Sequence, residues 1–136
     1  MNKIKIISIC ILVAIALVFF CYDNDKENFN TKDFSNSLNY YYEVTENGNS
    51  FLVKIYSKEN DLEFLDESNY GKLMRFYICW DEHDDKLWIW SSDIGFFIIS
   101  KEKVWIKQIV DLSNTTKEMI PSRLLENVPP LQEYFK

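Results

Sequence analysis

The sequence predicts an α+β protein: an N-terminal transmembrane helix followed by a small antiparallel β-sheet domain of about five strands, with short C-terminal helices packed on it. Three observations lead there. Residues 6–22 are an apolar run without a single Asp, Glu, Lys or Arg. Beyond them, short stretches rich in aromatic and β-branched residues alternate with clusters of Asn, Asp, Ser and Gly. Near the C-terminus, Leu124, Val128, Leu131 and Phe135 recur at spacings of four, three and four, a helical stripe. A small β-sandwich or partly open barrel is the alternative arrangement of the same strands.

The chain divides into a membrane anchor or signal segment (1–22), a polar tether (23–34) and an extracytoplasmic β-rich domain (35–136). Seventeen residues at about 1.5 Å each span roughly 25 Å, and counting from Ile4 brings residues 4–22 close to a full crossing. The β-branched content is poor for a helix in water, but in lipid the backbone has no partner other than itself. Lys3 and Lys5 precede the run, whereas Asp23 and Asp25 follow it. The expected topology is therefore single-pass, with the N-terminus cytoplasmic and the remainder outside. Ala14-Ile15-Ala16 fits a signal-peptide cleavage pattern, so a secreted or periplasmic product after cleavage is the alternative. Cutting there would leave Leu17-Val18-Phe19-Phe20 as an exposed apolar terminus. Phe20 before Cys21 departs from a lipoprotein pattern.

Within the domain, Tyr40–Thr45 and Phe51–Tyr56 flank Asn47-Gly48-Asn49, a hairpin signal. Residues 57–71 are polar and irregular and read as a loop or a short helix. Lys72–Trp80 and Lys86–Trp90 read as strands on either side of the acidic turn Asp81-Glu82-His83-Asp84-Asp85. Gly95–Ile99 and Val104–Val110 read as strands joined by Lys101-Glu102-Lys103. Several runs are apolar on both faces, which requires a cover on each side, from the C-terminal segment or from another sheet. Pro129-Pro130 interrupts the helical stripe and predicts two short helices, with Pro121 and Pro130 near their first turns.

Function is less legible. Twenty-one acidic and thirteen basic residues follow Tyr22, a charge of −8, so no nucleic-acid partner is expected. No catalytic constellation, glycine-rich phosphate loop or cofactor motif is present, and no enzymatic activity is predicted. The turn Asp81–Asp85 holds four carboxylates and the only histidine, His83. A metal-assisted hydrolase using Asp81, His83 and Asp85 is one alternative, although the turn lacks the calcium-loop glycine and glutamate. Cys79 lies four strand residues from His83, too far for proton transfer, and reads as a buried core residue. Asn114-Thr115-Thr116 matches the glycosylation pattern. The aromatic excess nominates Tyr40, Tyr41, Tyr42, Trp88, Trp90 and Trp105 as partner-binding residues, because three consecutive tyrosines on a strand cannot all face one core. The expected function is a membrane-tethered or exported acidic binding module for another, basic protein outside the cytoplasm, an inhibitor or immunity-type protector being one form. A structural subunit of an envelope complex is a further alternative.

Overall fold

The computed structural model describes residues 31–136. No helix among them is long and apolar enough to cross a membrane, and the anchor expected at residues 4–22 lies outside them. Eight strands form two four-stranded antiparallel meanders. The first sheet contains β1 (Lys32–Phe34), β2 (Tyr40–Asn47), β3 (Ser50–Ser57) and β4 (Leu62–Gly71); the second contains β5 (Phe76–Trp80), β6 (Lys86–Ser91), β7 (Gly95–Lys101) and β8 (Trp105–Ile109). Two short 3-10 turns then lead to α1 (Ser122–Asn127) and α2 (Pro129–Tyr134).

The expected single sheet of about five strands is therefore two sheets of four, and the second sheet is the middle layer of three. Its inner face (Phe76, Ile78, Trp80, Leu87, Ile89, Ile99, Trp105) packs on Tyr42, Val44, Val53, Ile55 and Tyr70 of the first sheet. Its outer face (Tyr77, Cys79, Trp88, Phe96) is covered by Ile120, Leu124, Val128 and Leu131. The C-terminal segment and another sheet, named as candidates for covering one face, are both present, one on each face. The stripe on the helices points into that second cluster, with Leu124, Val128 and Leu131 almost wholly buried.

The hairpin between β2 and β3 forms as expected, with Gly48 at φ +59°, a conformation that side-chain-bearing residues adopt at a cost. Three expectations change: the strand read over Lys72–Trp80 begins only at Phe76, and residues 72–75 are the turn before it. Residues 32–34, assigned to the tether, are strand β1 and pair with β2. Residues 62–71, within the stretch read as loop or short helix, are the longest strand. The inward face of β4 carries Phe64, Asp66, Ser68 and Tyr70, and two register shifts against β3 interrupt its pairing. Two polar residues facing inward and two bulges remove the alternation by which a strand is recognised.

Candidate functional site

The turns gather at two opposite ends of the sandwich. At one end lie the β2–β3 hairpin, the β4–β5 turn and the β6–β7 turn, linked by Lys72 N–H to the Asn49 carbonyl (3.0 Å) and Ser92 N–H to the Arg75 carbonyl (2.9 Å). At the other lie the β1–β2 loop and the acidic β5–β6 turn, linked by the Ser37 hydroxyl donating to Asp85 Oδ2 (2.7 Å). The β3–β4 loop joins this second end through Lys58 N–H to the Asn39 carbonyl (2.8 Å), and the β7–β8 turn lies there as well.

The acidic turn is more than a solvated loop. Asp81 Oδ1 accepts from the backbone N–H of His83 (2.9 Å) and Asp84 (3.2 Å), while its Oδ2 accepts from Trp88 Nε1 (2.9 Å). Glu82 takes the Ser122 N–H at 2.9 Å and the Ser122 hydroxyl, so its carboxylate sits at the start of α1. Those bonds hold the Glu82 carboxyl below the usual range. Asp84 pairs with Lys86 at 2.7 Å. Each carboxylate is thus directed to a different neighbour, and among the described residues no three metal-ligating side chains converge on a point that could hold an ion.

Beside this turn opens a cleft of about 600 Å³ lined by Tyr40, Asp84, Asp85, Lys86, Ser100, Lys101 and Glu102. Lys101 Nζ donates to Glu63 Oε2 (2.7 Å) and Tyr40 OH (3.3 Å). It also lies 5.1 Å from the Tyr40 ring centre, within cation–π reach. The hydrogen bond to Glu63 raises Lys101 and lowers Glu63 from their ordinary values, so both remain charged. Tyr40 packs edge-on against Trp105, with centroids 5.0 Å apart.

The six aromatic candidates do not form one patch. Tyr40 lines the cleft, and Trp105 supports it from the core. Tyr42 is fully buried between the sheets. Tyr41 points to the opposite face of its strand, where Tyr56 stacks on it at 5.2 Å, Phe34 covers it at 5.4 Å and Lys32 Nζ lies 4.2 Å above the ring. The expectation that the three tyrosines divide between faces holds, and β1 supplies the cover. Trp88 is buried beneath the helices, with half-buried Trp90 beside the same cluster. Cys79 is fully buried there too, and burial pushes its thiol up to about 12, far from a reactive thiolate.

A second polar cluster was not nominated from the sequence. Lys107 Nζ donates to both oxygens of Asp66 (2.8 and 3.1 Å), to Ser68 Oγ (2.7 Å) and to Tyr70 OH (2.8 Å). Tyr70 in turn donates to Asp66 Oδ2 at 2.5 Å. Asp66 is 4% exposed and Lys107 17%. Burial would raise the Asp66 carboxyl, but the bonds from Lys107, Tyr70 and Ser68 outweigh it and hold it below the usual carboxylate range. Burial and the adjacent carboxylate push Tyr70 well above its ordinary value, so it keeps its proton. A Ser–Lys pair suggests nucleophilic chemistry, which needs a neutral amine to act as base. Here Lys107 Nζ is hydrogen-bonded at once to a carboxylate, a hydroxyl and a phenol of β4, bonds that pin β4 to β8. Only the side-chain types hint at it in the sequence, because its members lie some forty residues apart.

A scan against protein-family models, a search of curated proteins and a search of solved structures each find no match to this chain.

Proposed function

We propose that the chain is a membrane-tethered binding module, which presents the acidic turn and its neighbouring cleft to a basic protein partner outside the cytoplasm. One observation carries this reading: β1, the first described strand, runs from the end opposite the cleft toward the cleft end. The Thr31 carbonyl accepts from Val44 N–H (2.7 Å), and β1 runs antiparallel to β2, so β1 begins on the side of the β2–β3 hairpin. A tether from that end leaves the acidic end facing outward. The cleft lining carries Asp84, Asp85 and Glu102 against Lys86 and Lys101, a net negative charge beside the half-buried ring of Tyr40, which suits a lysine- or arginine-bearing surface. Acidic surfaces of this kind speed encounter with basic partners and make it salt-dependent.

The test uses photo-crosslinking residues at His83 and Lys103, exposed beside Asp84 and Glu102, of the full chain in its native membrane. A discrete protein adduct is expected from both positions. It should weaken with added salt and disappear in an Asp84→Lys, Glu102→Lys chain whose circular dichroism is unaltered. No adduct from either position, or one indifferent to charge reversal, refutes the reading.

A further inference from the structure

We infer that the β4–β5 turn, Lys72-Leu73-Met74-Arg75, is a lipid-contacting element that seats the tether-proximal end of the domain on the membrane surface. This rests on the tethered reading above and identifies what that end of the molecule touches.

The turn is closed by Met74 N–H donating to the Gly71 carbonyl (3.1 Å), which puts Lys72 and Leu73 at its two central positions. Leu73 is 90% exposed, the highest value among the exposed large apolar side chains of the described residues, and Met74 is 52% exposed. Ile94 in the adjoining β6–β7 turn is also exposed. It is held beside them because Asp93 accepts from Gly71 N–H (3.2 Å) and Ser92 Oγ from Arg75 N–H (3.1 Å). The β4–β5 and β6–β7 turns thus form one projecting apolar tip.

Three features make a lipid surface the occupant. First, β1 starts from this end, and eight residues lie between Tyr22 and Thr31, a reach of at most about 30 Å even when fully extended. A domain tethered so closely keeps this end near the bilayer. Second, Leu73 and Met74 are bracketed by Lys72 and Arg75, cations suited to phosphate headgroups above buried apolar side chains. Glu46 neutralises Lys72 at 2.5 Å, whereas Arg75 forms no ion pair with another described residue. Third, the carboxylate cluster of the β5–β6 turn lies at the opposite end, so approach of this end to an anionic surface is not opposed by it.

The experiment places a nitroxide on the full chain in phosphatidylcholine–phosphatidylglycerol vesicles, in a Cys10→Ser, Cys21→Ser background; the buried Cys79 stays unlabelled. Reporters are Leu73→Cys and Ile94→Cys at the proposed contact and Val104→Cys, 68% exposed at the other end. Positions 73 and 94 should be relaxed more by oxygen than by a water-soluble nickel chelate, with the opposite ratio at 104. If the protein floats with the vesicles but position 73 matches 104, the lipid contact is wrong and the tether stands. If it does not float with the vesicles, the tethered reading fails and this inference with it.

Discussion

The second sheet has two buried faces, and they are held in different ways. Toward the helices the centre of the contact is apolar, Leu124, Val128 and Leu131 against Tyr77, Cys79, Trp88 and Phe96, with polar bonds (Ser122–Glu82, Asn127–Tyr77, Arg123–Asp33) only around it. Toward the first sheet an apolar centre is closed along the β4–β8 side by polar groups, with Asp66 and Lys107 inside and the Glu63–Lys101 pair nearer solvent. The β1–β5 side is joined by Trp80 Nε1 donating to the Asp33 carbonyl (3.0 Å). Apolar contact is non-directional and tolerates small shifts, so two short helices are enough to cover one face. A buried ion pair is directional and contributes only while complete, so it fixes how one sheet lies on the other. Among the described residues no buried side-chain nitrogen or oxygen lacks a partner.

Breaking the polar side should have the largest effect. Lys107→Met leaves the Asp66 carboxylate buried without its cation and should cost about 3 to 5 kcal/mol in urea unfolding. The Asp66→Leu, Lys107→Met double variant should recover much of that loss. If the two single changes simply add, the pair is not the pin described here. On the apolar side Leu124→Ala should cost about 3 kcal/mol through the cavity it leaves. In a Cys10→Ser, Cys21→Ser background it should also speed thiol labelling of Cys79, which the helices cover; an unchanged labelling rate would mean the helices do not control access.

Acid should distinguish the two faces further. The Asp66 carboxyl is depressed in the folded state, so its contribution is fully present above the ordinary carboxylate pKa. It is lost as the pH falls from there through the lower native value. Wild type should therefore lose stability on acidification more steeply than the Asp66→Leu, Lys107→Met chain, as read from urea midpoints between neutral pH and pH about 3. Equal slopes would assign acid sensitivity to other carboxylates. The smallest effect is expected from Trp88→Phe. It keeps an aromatic ring under the helices but removes the bond to Asp81 Oδ2, a loss of about 1 kcal/mol.

Much of the secondary structure could be read directly from residue patterns. The β2–β3 hairpin is visible at Asn47-Gly48, and the two helices at the stripe broken by Pro129-Pro130. The two-sided apolar runs of β6 and β7 required two covers, and there are two. Strand β4 escaped the same reasoning because Asp66 and Ser68 face inward where alternation calls for apolar residues. Their interior location makes sense only beside Lys107, supplied by a strand some forty residues later. The candidate site divided in a similar way. Tyr40 was identifiable as one of three tyrosines that must split between faces, but the cations and carboxylates that turn it into a cleft come from separate turns.

Local pattern by itself determined the β2–β3 hairpin, strands β6 and β7 and the two C-terminal helices, because periodicity and turn chemistry act over a few residues. It also determined that the domain is acidic and that an apolar segment precedes it. The tertiary structure alone decided that eight strands form two sheets, that an aspartate and a lysine meet inside, and which loops share an end. Those outcomes depend on pairing groups far apart in the chain, where the energy of a buried charge is defined only once its partner is in place.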